Sequence, residues 1–462
     1  MQPNDTICAI STAPGNGAIA IIRLSGPATF DILQTLWKGK PLNEMPTHTA
    51  HLGTILDPEG NPLDQAVITV FRGPRSFTGE DTAEISVHGS TYIQRELLNN
   101  LCKAGSRLAE PGEFTRRAFA SGRLDLSQAE AVADIIAARS RASHRLALTQ
   151  LSGNVSNRIE QLRQQLIDLA SLLELELDFS EEEVEFASRE RLRQLASELT
   201  SQIETLERSF SLGNAIKEGI PVAITGPTNA GKSSLLNRIL DDERAIVSDI
   251  HGTTRDTIEE TREIGKYLFR FIDTAGLRRT DDAIEQIGIQ RSHDAINRSA
   301  ITVYLNDINQ PLDEENLADI PPTSKLIIAL NKTDLPAGEQ AELTATQASQ
   351  IASTRPSTQL IRISAKSGDS VQQLLDLLTE TIDREFQQSQ ADVIITNARQ
   401  AQALRHAAHS AQRILDSLDA QLPPELTAQD VRETIHHLST ITGQITTADL
   451  LQTIFSRFCI GK

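Results

Sequence analysis

Aromatic side chains are scarce in this chain. They make up 4% of its 462 residues, with one Trp and three Tyr, so its cores must be mainly aliphatic. Cysteine is scarcer still: Cys8, Cys102 and Cys459 are widely spaced and form no Cys-x-x-Cys pair. That argues against a disulfide framework and a zinc knuckle, and it suits a reducing compartment. No run of 18 apolar residues occurs, and no basic-apolar-small signal opens the chain. Neither a membrane span nor export is expected, and a cytoplasmic protein is. Positive charge is in deficit, with 44 Lys and Arg against 62 Asp and Glu and a formal charge of −18. Such a field does not attract a polyanion, so RNA could be held only through a local patch, and a nucleic-acid coat protein is disfavoured. What remains is ordinary: 39% hydrophobic and 23% charged residues, 25 Gly and 18 Pro. Collagen-like and low-complexity chains are excluded. The length allows about three domains at roughly 150 residues each.

Four stretches differ in texture. Residues 1–125 alternate short apolar runs with Gly and Pro punctuation. Ile7–Ile10, Ala18–Leu24, Ala66–Phe71 and Ala83–Val87 are predicted strands, broken by Pro14-Gly15-Asn16-Gly17, Gly73-Pro74 and Gly79. In residues 126–217 the punctuation nearly vanishes, and Ile159, Leu162, Leu166, Leu169 and Leu173 recur on one helical face. Residues 386–462 return to this texture, with Ala407, Ala411, Ile414 and Leu418 in helical register. Between them, residues 218–385 alternate strands and helices. Val222–Ile224, Leu268–Ile272, Ile301–Leu305, Leu326–Leu330 and Leu360–Ile363 suit buried parallel strands. An α/β unit usually has its ends close together, so it can be inserted whole into another domain. The expected class is therefore multidomain α/β plus all-α, with a helical domain interrupted by an inserted α/β domain. A string of four separate units is the alternative.

The strongest motif is Gly226-Pro-Thr-Asn-Ala-Gly231-Lys232-Ser233, directly after the strand Val222–Ile224. Glycine-rich backbone can wrap a phosphate with successive N–H groups, and the following helix points its positive end at the same anion. Asn229, Ala230, Gly231, Lys232, Ser233 and Ser234 are the phosphate-binding candidates. Lys232 would reach the β- and γ-phosphates and Ser233 would ligate magnesium. Asp273-Thr274-Ala275-Gly276 follows another strand, where Asp273 would hold magnesium through water and the Gly276 amide would sense the γ-phosphate. Asn331-Lys332-Thr333-Asp334 closes a third strand. A carboxylate at Asp334 accepts two hydrogen bonds from guanine, whereas adenine would leave it unpaired. Ser364-Ala365-Lys366 would pack the base from the other side. GTP rather than ATP is the expected nucleotide, in a P-loop domain of Ras-like type.

The segment Ser248–Asp256 reads as a switch, with Thr254 as a second magnesium ligand and a solvated loop as the bland reading. After Gly276 comes Leu277, where Ras-type GTPases carry a Gln that orients the attacking water. Leu cannot hydrogen-bond water. Asp281, Asp282 and Glu285 are the polar candidates for that task, and spacing does not choose among them.

These motifs, with Asp5-Thr6-Ile7, Ile21-Ile22-Arg23, Phe77-Thr78-Gly79-Glu80-Asp81, Gly112-Glu113-Phe114-Thr115 and the ending Phe458-Cys459-Ile460-Gly461-Lys462, resemble the bacterial and organellar tRNA-modification GTPase family MnmE, also called TrmE. The resemblance covers essentially the whole chain, and its terminal Cys-Ile-Gly-Lys is its most specific part. It implies an N-terminal folate-binding and dimerisation domain, a helical domain and an inserted GTPase. It also implies a homodimer, and an FAD-dependent partner, MnmG, in a heterotetramer or larger complex. Together these would form a 5-carboxymethylaminomethyl or aminomethyl group on the wobble uridine of certain tRNAs. Arg23, Glu80, Arg123 and Lys462 match the family's contacts to 5-formyltetrahydrofolate or a related folate, and Arg123 stands where Lys is frequent. Asn229 matches the ligand of a stimulating potassium ion, with Ser248, Ile250 and Thr253 adding oxygens. Glu285 matches the catalytic glutamate, which fills the gap left by Leu277. A GTP-dependent ribosome-assembly factor, or a folate enzyme with a regulatory GTPase domain, is the rival reading.

Three features stay bland. Cys459 could be a nucleophile on a terminal tail, but a small apolar filler is the commoner fate of Cys. His406, His409, His436 and His437 have no carboxylate or Cys spacing that would favour a metal over a solvated helix. The run Glu174–Glu185, seven acidic residues in twelve, reads as a solvated helix end and loop, with a basic protein partner as the sharper option.

Overall fold

The fold comes from a computed structural model that describes residues 5–178, 189–241, 259–273, 295–321, 324–355, 357–388, 391–456, 458 and 461. It divides into two compact units: Met1–Ile136, Leu148–Leu199 and His406–Lys462 form one, Ala137–Ala147 and Thr200–Arg405 the other.

The first unit opens with a seven-stranded sheet. Its strands are β1 Ile7–Ile10, β2 Ile19–Ser25, β3 Trp37–Lys38, β4 Thr49–Leu56, β5 Pro62–Phe71, β6 Thr82–His88 and β7 Arg107–Leu108, in the order β3-β4-β5-β6-β2-β1-β7. All pairs are antiparallel except β1 with β7. Period-two alternation sorts the side chains onto two faces. Ile22, Leu24, Ile68, Val70 and Ile85 are buried in a core shared with Phe30 and Leu33 of helix α1, Thr29–Leu36, and Leu97 and Leu101 of helix α2, Thr91–Lys103. Arg23, between Ile22 and Leu24, lies on the opposite face in register with Glu84. There β1 contributes Ile7 and Ala9 to a small cluster with Phe114 of helix α3, Glu113–Ala120.

The helical part of this unit is built on the expected seam. Helices α4 Leu126–Ala137, α5 Arg141–Leu151, α6 Asn154–Asp178 and α7 Arg189–Glu218 follow in order, and residues 137–147 and 200–218 of this stretch belong to the second unit. The α6 seam residues Ile159, Leu162, Leu166, Leu169 and Leu173 are all buried. The helix extends into the acidic run, where Glu174 pairs with Arg432 at 2.9 Å.

The second unit carries β8 Ile220–Thr225, helix α8 Lys232–Asp241, β9 Glu259–Ile264, β10 Tyr267–Asp273 and β11 Ile301–Asp307. There follow helix α9 Glu314–Ala318, β12 Lys325–Asn331, helix α10 Glu339–Thr354, β13 Thr358–Arg362 and helix α11 Val371–Gln388. The strand order is β13-β12-β11-β8-β10-β9. The five expected strands all run parallel to their neighbours among them. The sixth, β9, is antiparallel to β10. Its sequence, EETREI, is too charged to signal a buried strand, and it fits an antiparallel edge. Of the five expected strands, β13 alone ends short of its expected run: it stops at Arg362, so Ile363 opens the loop before Ser364. Helices α12 Ala398–Asp419, α13 Pro424–Thr442 and α14 Ala448–Phe455 complete the chain, with Ala407, Ala411, Ile414 and Leu418 buried along α12.

Candidate functional site

The carboxyl ends of β8 and β12 and the loop after β13 gather most of the nucleotide candidates that are described. The loop from β8 to α8 demands glycine twice. Gly226 has φ +136°, and a Cβ on it would lie 2.0 Å from the Leu305 carbonyl oxygen. Gly231 has φ +102°, and its Cβ would lie 2.3 Å from Asn331 Nδ2. Asn229, at φ 63°, takes a left-handed conformation that Asn tolerates better than most residues. Asn229, Ser233 and Ser234 are exposed and Ala230 is buried. Lys232 Nζ donates to the carbonyls of Gly226 and Pro227, both at 2.7 Å, so the ammonium is tied to the loop it serves.

Asn331 is the strut of this edge. It is buried at the end of β12. Its Nδ2 donates to the Ala230 carbonyl at 2.7 Å, and its Oδ1 accepts from the Ala365 N–H at 2.9 Å. One amide thus joins the phosphate loop to the loop after β13. Asp334 is held by the Ser364 hydroxyl, which donates to Oδ1 at 2.7 Å. That hydrogen bond, with the nearby Lys366 and Lys332 charges, keeps the Asp334 carboxyl below the usual carboxylate range. Lys332 pairs with Asp307 at 2.9 Å. Arg238 of α8 donates to the Lys366 carbonyl at 2.9 Å. Asp273 closes β10 in register with Ile224 of β8, which places its backbone beside the phosphate loop. Ser248, Ile250, Thr253, Thr254, Thr274, Ala275, Gly276, Asp281, Asp282 and Glu285 lie outside the described residues, as do Cys459 and Lys462.

The second gathering is on the α3 side of the N-terminal sheet. Arg23 donates from Nε and Nη2 to Glu84 Oε1 at 3.0 and 2.7 Å. Its guanidinium lies 5.7 Å from the Phe77 ring centroid and 5.6 Å from that of Phe114. Glu80 accepts from the Ser25 hydroxyl at 2.7 Å and from Arg117 at 3.1 Å. The Arg123 side chain is exposed and adjoins Gly79. The Gly461 carbonyl is 3.2 Å from Ser11 Oγ and 3.5 Å from Arg23 Nη1, so the C-terminal tail arrives on this same face one residue before Lys462. Arg23, Glu80 and Arg123, 100 positions apart at most, therefore share one surface. Its charges are strongly coupled. Burial raises the Asp5 and Glu113 carboxyls, but Arg107 and Arg117 outweigh it and hold both below the ordinary range.

Two family models match this chain: the MnmE helical domain over residues 126–459, and the GTP-binding protein TrmE N-terminus over residues 6–123. This chain belongs to the MnmE family. The tRNA modification GTPase MnmE of Parabacteroides distasonis is 48% identical over 99% of this chain and 100% of its own length. That of Cytophaga hutchinsonii is 48% identical over 99% of this chain and 98% of its own. Among solved structures, Aquifex aeolicus Era matches 41% of this chain and 65% of its own at 20% identity, with a TM-score of 0.29 too low to bear on the fold. The chain thus joins a TrmE N-terminal part and an MnmE helical part, and its six-stranded α/β sheet carries the glycine-rich loop of residues 226–233.

The residues that hold the others in this MnmE member carry no motif. Asn331 was legible as a base-side residue but not as the strut to Ala230. Arg117, Ser25, Glu84 and Arg238 were not singled out, because nothing local marks a side chain whose partner is 30 to 130 residues away. His406 and His437 stack at 5.3 Å across α12 and α13, and burial lowers the His437 pKa. Among the described residues no group of three or more His, Cys, Asp or Glu could hold a metal ion. No helix there is long and apolar enough to cross a membrane.

Proposed function

We propose that the chain is a GTP hydrolase whose nucleotide cycle serves modification of the wobble uridine of tRNA. The observation that carries the nucleotide reading is the strut Asn331, joining the phosphate loop to the loop beside Asp334. Asp334, kept ionised by Ser364, would accept the guanine N1–H and amine. Lys232 and the loop amides would hold the phosphates. The exposed Ser233 hydroxyl, at the start of α8, suits a magnesium ligand, with Thr254 as its partner. Asn229, exposed on a left-handed turn, suits an amide oxygen ligand of potassium, with Ser248, Ile250 and Thr253 completing that shell. A monovalent cation there supplies positive charge where transition-state charge collects. Glu285 would orient the attacking water in place of the Gln that Leu277 replaces.

The N-terminal face suits a folate. Phe77, 37% exposed, offers a ring surface, and Glu80 offers a carboxylate acceptor for the pterin amide and amine. Arg23, Arg123 and Lys462 would meet carboxylates. Bound there, 5-formyltetrahydrofolate or a related folate supplies a one-carbon unit. The product would be the 5-carboxymethylaminomethyl or aminomethyl group, made with the FAD-dependent partner MnmG by a cytoplasmic homodimer. Ile19, Leu52 and Val67 are exposed on the sheet face that α1 and α2 leave uncovered, which favours pairing with a second copy. The organisation proposed is 1–125 folate-binding and dimerisation, 126–217 and 386–462 helical, and 218–385 GTPase. Nucleoside analysis of tRNA from cells lacking the protein tests the reading. Loss of the wobble modification is expected, and unchanged tRNA would refute it.

A further inference from the structure

The N-terminal face holds a charge network larger than its ligand candidates require. Arg117 is one-tenth exposed and serves three carboxylates. Its Nη1 donates to both Glu80 oxygens, at 3.1 and 3.2 Å, and to the Asp5 carbonyl at 3.0 Å. Its Nη2 donates to Asp5 Oδ1 at 2.7 Å and Glu113 Oε1 at 3.1 Å. Arg107 closes the ring by donating to Asp5 Oδ2 and to both Glu113 oxygens. Arg116 adds Glu110 at 2.9 Å. Four carboxylates thus meet three guanidiniums, and one negative charge is left over. Among the three carboxylates on Arg117, Glu80 is the most exposed, at 32% against 21% for Asp5 and 1% for Glu113. Of those three, Glu80 therefore offers the most oxygen surface to a ligand.

We propose that Arg117 is the positioning residue of this face, clamping Glu80 as an oriented acceptor for the paired N–H donors of a pterin. The inference rests on the folate reading above and names the device behind it. A carboxylate has about four acceptor sites. One Arg117 nitrogen and the buried Ser25 hydroxyl, 2.7 Å from Oε2, occupy part of that capacity and leave the rest for a ligand. Without Arg117, Arg107 would still hold Asp5 and Glu113, but Glu80 would lose its cationic partner and be repelled by those neighbouring carboxylates. A glutamate fixed beforehand also loses less rotamer freedom when the ligand arrives. Lysine cannot replace this clamp, because a single ammonium does not present the planar fork that reaches three carboxylates.

The test separates positioning from general support of the fold. The full chain is titrated calorimetrically with 5-formyltetrahydrofolate and with an analogue whose 2-amino group is replaced by methyl. The native protein should prefer the parent by about tenfold or more, because the analogue leaves Glu80 short of one donor. In Arg117→Gln that preference should fall below about threefold, and Arg117→Lys should restore only part of it. A structural role alone would weaken both ligands alike and leave the ratio unchanged. If Arg117→Gln does not fold, Ser25→Ala removes the other group holding Glu80 and should narrow the same ratio. A ratio preserved in the soluble variants overturns the inference while leaving the folate site standing. Absence of folate binding by the native protein overturns the folate reading itself, and the clamp with it.

Discussion

Replacing Asn331 by Ala removes one amide and leaves two buried partners unmet. The Ala230 carbonyl loses its 2.7 Å donor and the Ala365 N–H its 2.9 Å acceptor. Ala230 and Ala365 are 2% and 5% exposed, so bulk water does not readily replace the amide. An unsatisfied buried polar group costs about 1–3 kcal/mol. Two of them, with some relaxation of the loops, should destabilise the second unit by about 3–4 kcal/mol. For a unit of this size about 1 kcal/mol corresponds to roughly 2–4 °C, so the expected fall in melting temperature is about 6–16 °C. Scanning calorimetry of the full chain measures it, on the transition that GDP moves upward. GTP affinity should fall by about tenfold or more as well, since the phosphate loop and the base loop lose their shared support. A melting temperature within about 1 °C of the native value would refute the strut and the accounting built on it.

Further outcomes are expected. Asp334→Asn should lose GTP and gain xanthosine triphosphate, because the ring's donor at position 2 becomes an acceptor; unchanged GTP affinity by fluorescence titration contradicts the assignment. Single-turnover hydrolysis should be faster in potassium than in sodium, and Glu285→Ala should keep GTP binding while losing about 10²-fold in rate, or about 2.7 kcal/mol. Equal rates in the two salts, or an unimpaired Glu285→Ala, would return the task to other groups. Asp5 and Glu113 have carboxyls held below their unfolded values, so their stabilising contribution is present at neutral pH and drains away as pH falls from about 4 through the depressed values. Thermal melts from pH 7 to pH 3 should show this loss, and Glu113→Gln should flatten it. Gly226→Ala should yield little folded GTPase unit, since its Cβ meets the backbone of β11 rather than a side chain that could swing away.

Much of the architecture was legible because it is written in contiguous segments. Five apolar runs between residues 222 and 363 became five parallel neighbours, and the α6 seam emerged from a repeat of three and four. Strands failed where burial is one-sided or brief. β4 mixes exposed Leu52 with buried Ile55, and β3 and β7 have two residues each. β9 hides behind its charges. The nucleotide candidates in residues 226–234, 331–334 and 364–366 stand out in the sequence for a related reason, since each short run lies at or just after the end of a strand. The N-terminal candidates came only through resemblance. Arg23, Glu80 and Arg123 belong to separate elements, and no spacing rule predicts that they meet.

The long-range contacts that neither motif nor resemblance indicates have one physical character. Asn331 reaches 101 positions back to Ala230, Arg117 reaches 112 back to Asp5, and Arg23 reaches 438 forward to Gly461. Each is a polar side chain, largely withdrawn from water, that joins loops distant in sequence. Such a residue cannot be optimised for one loop alone, because leaving either partner unpaired in a buried site costs more than the hydrogen bond itself contributes. The loops it joins must therefore keep their mutual geometry together or lose it together. At the carboxyl edge of the second sheet this ties the loop before α8 to the loop after β13 through a single amide. At the N-terminal face it ties the orientation of Glu80 to Asp5, Glu113 and the start of α3, so a disturbance at any of them should reach the ligand side through Arg117.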